Sequence, residues 1–134
     1  HSLGLHGSLG QMDGLGQDVH ARGHVQGPRH VGVALRPAID FQKTYGVHLY
    51  LGEFSAIRWA PDNSAYRYLR DVIDLFEKYG WDWTYHAFRE WTGWSAEHSN
   101  DEADGGRTAT PNDRQKLLRE WFAKNRKPEW TGGE

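Results

Sequence analysis

The sequence predicts an α/β fold in which parallel strands are covered by helices. Helical and strand-like segments alternate along residues 33–134, in the order helix, strand, helix, strand, helix. Strands that alternate with helices of about 10–16 residues indicate βαβ units and a parallel sheet. Two strands cannot form a stable parallel sheet alone, because both faces and both edges need cover. We therefore expect a piece of a larger fold.

Composition limits the classes of function that the chain can serve. Its 134 residues, 37% hydrophobic and 25% charged, fit one globular domain. The net charge of −2 gives no electrostatic reason to expect nucleic acid or an anionic membrane as partner. The absence of cysteine excludes disulfides, thiolate zinc sites and a cysteine nucleophile. No apolar run approaches the roughly 18 residues of a membrane span.

Residues 1–32 differ from the rest of the chain. They contain no aromatic residue, but they hold 8 of the 16 glycines and 5 of the 8 histidines. A segment without large apolar side chains cannot offset its ordering entropy by burial, so we expect a loop or a disordered arm. The histidine spacing fits no standard ligand pattern, and we expect no metal site. The predicted boundary therefore separates residues 1–32 from a domain at 33–134.

The first helix and strand are predicted from local signals. The helix has Pro37 in its first turn, runs to Tyr45 and ends at Gly46. The strand-forming residues 47–51 follow directly.

The next helix is predicted over residues 64–79, where apolar side chains recur at helical spacing. Asn63 or Ser64 can cap its start, and Gly80 can end it. Residues 81–88 are predicted as the second strand. A polar loop at 93–110 precedes the last helix.

The last helix is expected to begin with Thr110 as its cap, followed by Pro111 at its first position and Asp113. It carries apolar side chains on one side: Leu117, Leu118, Trp121 and Phe122.

Glu53 is the first candidate for chemistry. It stands at the carboxyl end of the first strand, and in βα barrels that end carries the active site. A carboxylate there can act on a substrate. It can equally be a residue that caps or salt-bridges a strand end, and spacing alone does not decide between the two.

Aromatic residues surround both strand ends: Trp59, Trp81, Trp83, Tyr85, Trp91 and Trp94. Flat sugar faces stack on aromatic rings, so such a cluster suits polysaccharides. We expect Trp81 or Trp83 to pack in the core instead. Hydrogen-bonding groups flank the same region: Arg58, His86, Arg89, Glu90, Glu97 and His98. His86 can alternatively be an ordinary buried histidine within a strand.

Residues 35–98 resemble the C-terminal part of a glycoside hydrolase family 5 catalytic domain, the cellulase family. The segments that carry the resemblance fall in the family's order. Residues 37–45 resemble the sixth barrel helix. Residues 47–60, with Gly52-Glu53-Phe54, resemble the seventh strand and its loop. Residues 81–98, which contain Tyr-His-Ala-Phe-Arg-Glu-Trp, resemble the eighth strand and its loop.

The resemblance implies a (β/α)8 barrel that hydrolyses β-linked glucans or mannans with retention and needs no cofactor. It places Glu53 at the family's nucleophile and Trp91 at the aromatic floor of the sugar subsite. Further substrate contacts are then expected from His86, Arg89, Trp94, Trp59 and Arg58. The expected function is hydrolysis of β-1,4-glycosidic bonds in cellulose-like glucans.

The chain departs from the family in length and in one motif. A barrel takes about 250 residues, and the Asn-Glu-Pro motif that holds the family's acid/base is absent. Glu90 and Glu97 are the nearest candidates for that role. We expect a partial (β/α)8 TIM-barrel fragment that is completed by self-association as a homo-oligomer.

Two other interpretations stay open at this point. The chain can be a carbohydrate-binding module without turnover, or a vestigial fragment of such an enzyme. If the substrate is a polymeric glucan, we expect a secreted or periplasmic protein.

Overall fold

The computed structural model describes residues 28–126, which form a mixed α/β unit with two parallel strands and several helices. The elements of this part of the chain are α1 (Pro28–Ala34), α2 (Arg36–Tyr45), β1 (Tyr50–Phe54), a 3-10 turn (Pro61–Asn63), α3 (Ser64–Tyr79), β2 (Asp82–Tyr85) and α4 (Asp113–Phe122). The predicted α/β class with parallel strands is confirmed.

The two strands pair in register except at one irregularity in β1. Leu51 pairs with Trp83 and Phe54 pairs with Tyr85, so β1 has one residue more than β2 between these pairs. Strict alternation would place Glu53 on the same side as Leu51, towards the core. The extra residue resets the alternation, so that Phe54 is buried and Glu53 is exposed.

The core lies between the sheet and α3. The apolar face of α3 is buried, and Phe76 packs edge-on against Phe54 with ring centroids 5.2 Å apart. Phe76 also stacks on Trp81 at 5.8 Å. Leu117 and Leu118 of α4 complete the same cluster. The expectation that Trp81 or Trp83 packs in the core is confirmed for Trp81.

The other face of the sheet is open among the described residues. Tyr50 is 66% exposed there, and its hydroxyl lies 2.5 Å from the hydroxyl of Thr84. Thr84 also donates to the carbonyl of Gly52 at 2.9 Å. Within residues 28–126, β1 and β2 pair only with each other. This face and both outer edges are therefore available to further protein.

The predicted helix ends are confirmed at several positions. Gly46 ends α2 with φ +62°, and Gly80 ends α3 with φ +67°, both in the left-handed region that glycine adopts without strain. Pro37 lies in the first turn of α2. These signals are local, so neighbouring elements do not change them.

Several predicted boundaries are wrong. The strand β1 begins at Tyr50 instead of residue 47, and β2 ends at Tyr85 instead of residue 88. The cap of α4 is Asn112, not Thr110, because the Asn112 side chain accepts a hydrogen bond from the backbone of Gln115 at 3.0 Å. The same side chain donates to two loop carbonyls, which fixes the start of the helix there.

The expected loop through residue 32 is wrong for its last five residues, which belong to α1. Val31 and Leu35 pack against the core, and the backbone of Leu35 bonds to Val31 at 3.0 Å. The helix also crosses the boundary predicted between residues 32 and 33. The rest of the expected arm, residues 1–27, lies outside the described residues.

Candidate functional site

Two carboxylates and one imidazole meet at the carboxyl ends of β1 and β2. The backbone N–H of His86 donates to the carbonyl of Phe54 at 2.9 Å, which places His86 beside Glu53. Nδ1 of His86 lies 3.9 Å from Oε1 of Glu53, and Nε2 lies 3.2 Å from Oε2 of Glu90. The His86 side chain is 30% exposed, whereas that of Glu53 is 75% exposed. The sequence-predicted residues Glu53, His86 and Glu90 thus form one cluster.

An aromatic strip adjoins this cluster and consists of Trp59, Trp91 and Trp94. The Trp59 and Trp91 rings meet edge-on at 5.8 Å, and the Trp91 and Trp94 rings do so at 4.5 Å. The Trp94 ring lies 6.4 Å from that of His86. Trp91 is 44% exposed. The strip therefore offers an accessible ring surface beside the carboxylates, as stacking on a sugar requires.

The Trp91 ring packs against Gly93, in the space that a side chain at position 93 would fill. Gly93 is buried, and an added methyl group would come within 2.6 Å of Cε3 of Trp91. We expect Gly93→Ala to displace the ring and to lower the free energy of unfolding by about 1–3 kcal/mol, as overpacking does. Urea unfolding and near-ultraviolet circular dichroism measure the two effects.

Gly105→Ala is the matched control, because an added methyl group there meets nothing within 4 Å. It should change the unfolding free energy by less than about 0.5 kcal/mol. Equal behaviour of the two variants would contradict the support that Gly93 gives to Trp91.

Arg89 and Glu97 form an ion pair with two contacts on the loop that follows β2. Nε of Arg89 donates to Oε2 of Glu97 at 3.0 Å, and Nη2 donates to Oε1 at 3.2 Å. This hydrogen bonding lowers the pKa of Glu97. A general acid must hold a proton near the working pH. Glu97, which the sequence offered as a candidate acid/base, is therefore poorly suited to donate a proton.

Arg58, which the sequence analysis named as a substrate contact, is buried beneath the surface of the site. It is 1% exposed, and its guanidinium donates to five backbone carbonyls, which belong to Thr92, Ser99, Asp101, Glu102 and Asp104. We call residues 92–104 the anchored loop. A guanidinium has five N–H groups, so none remains for a substrate. Arg58 therefore anchors this loop.

Arg114 is a second anchor that the sequence interpretation missed. It is 1% exposed on α4, and it donates to the carbonyls of Ser95 and His98 at 2.6 Å each. Burial lowers the pKa of Arg114. An arginine on an amphipathic helix ordinarily faces solvent, so no sequence signal marked it. Both arginines hold the loop that carries Trp94 and Glu97.

Tyr85 joins β2 to the same loop. Its hydroxyl donates to the carbonyl of Trp94, and burial raises the pKa of Tyr85 to about 12. An unfolded tyrosine titrates near 10. The folded chain therefore favours the protonated hydroxyl, and the stability that this contributes is fully present below about pH 10.

We expect this stability to be lost as the pH rises from about 10 to about 12. The free energy of unfolding should fall more between about pH 9 and pH 11 in the wild type than in Tyr85→Phe, measured by urea unfolding at both pH values. Burial also raises the pKa of Tyr68, but Tyr68 is present in both proteins and cancels in the comparison. Parallel pH profiles would contradict the role of the Tyr85 hydroxyl.

Comparisons with known proteins add no family to this geometry. No family model matches the sequence, and no curated protein matches it either.

Among residues 28–126, no group of three or more His, Asp and Glu side chains could hold a metal ion. None of the helices in that part of the chain is long and apolar enough to cross a membrane.

Proposed function

We propose that this chain is a retaining glycosidase of the β-1,4-glucanase type, with Glu53 as its nucleophile. The observation that carries the proposal is that Glu53 and Glu90 lie on either side of His86, 3.9 Å and 3.2 Å from its two ring nitrogens, at the carboxyl ends of parallel strands. The aromatic strip beside them suits a glucan chain. The resemblance of residues 35–98 to glycoside hydrolase family 5 favours the same substrate class.

The proposed reaction proceeds through a covalent intermediate. A carboxylate oxygen of Glu53 attacks the anomeric carbon while the glycosidic oxygen receives a proton and leaves. Water then attacks the same carbon, and the ester to Glu53 is released. Of the two carboxylates proposed for the proton donor, Glu90 lies 3.2 Å from His86, whereas Glu97 is paired with Arg89.

The proposed architecture is a fragment of a (β/α)8 barrel in which β1 and β2 are adjacent strands. An exposed strand edge is a template for pairing with another strand. Exposed aromatic side chains, among them Tyr50 on the open sheet face, favour association as well. We therefore propose a homo-oligomer in which other copies cover this face and close the sheet.

One observation favours a carbohydrate-binding function without turnover. The carboxylate of Glu53 is 75% exposed in the single chain, so water solvates the group that would have to attack. A binding site needs only the aromatic strip and hydrogen-bonding groups around it. This alternative predicts that glucan binding survives in Glu53→Gln and that neither protein cleaves the substrate.

The test is hydrolysis of a soluble β-1,4-glucan and of an aryl β-cellobioside, with light scattering on the same chromatographic fractions. We expect turnover in fractions whose mass is that of two or more 15.4 kDa chains. Turnover confined to the monomer would contradict self-association but retain the glycosidase. Binding without turnover in every fraction would favour the carbohydrate-binding alternative.

A further inference from the structure

We propose that the helical layer of this chain binds a small organic anion in a cavity between α1, α2 and α3. The cavity has a volume of about 360 Å³ and is lined by residues of all three helices. Ligand pockets in proteins measure about 300–1,000 Å³, so the cavity has the size of a site for one small molecule. This inference goes beyond the proposed glycosidase and does not depend on it.

The cavity lies away from the candidate functional site. Leu75 and Tyr79 line it from the last two turns of α3, which leads into the amino end of β2. Glu53 and His86 lie at the other, carboxyl ends of the strands. The cavity is also on the side of the sheet that carries the helices, so association through the open sheet face leaves it accessible.

Three cationic side chains line the cavity, and no acidic side chain of the described residues does. Arg36 and Lys43 belong to α2, and Lys78 belongs to α3. Arg36 and Lys43 are seven residues apart, which is about two helical turns, so they share one face of α2. Positive charge from both helices attracts an anion and disfavours a cation.

Neighbouring carboxylates neutralise little of this charge. Nε of Arg36 lies 3.5 Å from Oδ1 of Asp40, but both side chains are more than half exposed, and such pairs contribute little. Within residues 28–126, Lys43 and Lys78 form no ion pair. Nζ of Lys78 lies 5.6 Å from the centroid of the Tyr79 ring, a cation–π contact that holds the ammonium group beside the cavity. An anion bound there would give both lysines a partner.

Apolar side chains line the inner part of the cavity. Ile39 is 4% exposed and belongs to the core cluster, and Leu75 is half-buried. The cationic side chains are exposed, so the charge lies at the mouth and the apolar surface lies deeper. The ligand class that matches both parts is a phosphate or carboxylate attached to an apolar group.

Gln42 holds the two helices that supply the cations. Its Nε2 donates to the carbonyl of Tyr79 at 3.1 Å, and its Oε1 accepts from the indole N–H of Trp81 at 2.7 Å. The side chain therefore joins α2 to the end of α3 before any ligand arrives. A site that is already formed loses less conformational entropy when it binds.

The probe for this site is 1-naphthyl phosphate, and inorganic phosphate and 1-naphthol are its two halves. In nitrogen-15 NMR of the full chain, we expect it to shift the amide signals of Gly32, Ile39 and Leu75, which line the cavity. It should bind at least about tenfold more tightly than either half. A naphthyl ring can also stack on the aromatic strip, so shifts confined to the strip would overturn the proposal.

The double variant Lys43→Met and Lys78→Met removes two charges and keeps most of each aliphatic stem. It should raise the Kd of 1-naphthyl phosphate at least about tenfold, because hydrogen bonds to charged groups are the strong ones. Binding of 1-naphthol should not change. Both lysines are exposed, so urea unfolding should be unchanged as well.

The matched control is the double variant Lys116→Met and Arg119→Met. It removes the same net charge from exposed positions of α4, and neither residue lines the cavity. Its Kd for 1-naphthyl phosphate should equal that of the wild type. If both double variants weaken binding equally, the effect comes from net charge and the proposed site is refuted.

A phosphate ester can also be the headgroup of a lipid, so vesicles of phosphatidylcholine and phosphatidic acid form the last arm. We expect 1-naphthyl phosphate to bind without vesicles. Sedimentation of the wild type with these vesicles, in the absence of any binding of 1-naphthyl phosphate, would overturn the soluble ligand in favour of a membrane surface. Binding in neither arm would refute the site altogether.

Discussion

Glu53→Gln should lower the kcat for a soluble β-1,4-glucan by at least a hundredfold. This corresponds to about 2.7 kcal/mol of lost transition-state stabilisation. A neutral amide oxygen cannot attack the anomeric carbon as a carboxylate does. The side chain is exposed at the irregularity in β1, so the substitution removes the charge without opening a cavity. Reducing-sugar release and the aryl β-cellobioside assay measure the effect.

Glu120→Gln is the matched control for Glu53→Gln. Glu120 is an exposed carboxylate on α4 that pairs with Lys124 at 3.4 Å. Surface pairs of this kind contribute about 0–1 kcal/mol to stability, so neither activity nor folding should change. Equal activity of the wild type and Glu53→Gln would refute the role of Glu53 as nucleophile.

Arg58→Met should destabilise the fold by about 3 kcal/mol. The substitution leaves five carbonyls of the anchored loop without their donors. Hydrogen bonds to a charged group contribute about 1.5–3 kcal/mol each, but removal of a buried charge and rehydration of the loop offset part of the loss. The midpoint of urea unfolding and the free energy derived from it measure the change.

Two comparisons define the cause of that loss. Arg58→Lys keeps the charge but supplies three donors instead of five, so its stability should fall between those of the wild type and Arg58→Met. Arg119→Met removes an exposed arginine from α4 and should cost less than about 0.5 kcal/mol. If Arg58→Met unfolds at the same urea concentration as Arg119→Met, the anchoring role is refuted.

The sequence predicts those elements whose signals are local. The span of α3 is correct because its apolar periodicity and its terminal glycine lie within the helix itself. The helix α1 was missed, since it shows no such periodicity and depends on the packing of Val31 and Leu35 against the core. The limits of β1 were wrong because pairing with β2 sets them, and this pairing runs from Tyr50 to Phe54. Contacts with other elements decide both cases.

The candidate site could also be predicted only in part from the sequence. Strand-end reasoning predicted that Glu53 and His86 would lie at one edge, because parallel strands present their carboxyl ends together. It could not predict that Arg58 turns inward, since the carbonyls that receive it lie 34 to 46 residues away along the chain. The pairing of Arg89 with Glu97 likewise depends on how the anchored loop folds back.

The way in which Arg58 holds the anchored loop has a consequence for sequence variation. Its five acceptors are backbone carbonyls, and every amino acid carries that group. Side chains such as that of Glu102 can therefore be exchanged without loss of the anchor. The loop can diversify beside the aromatic strip while its path over the site stays fixed, as the variable loops of a recognition scaffold do.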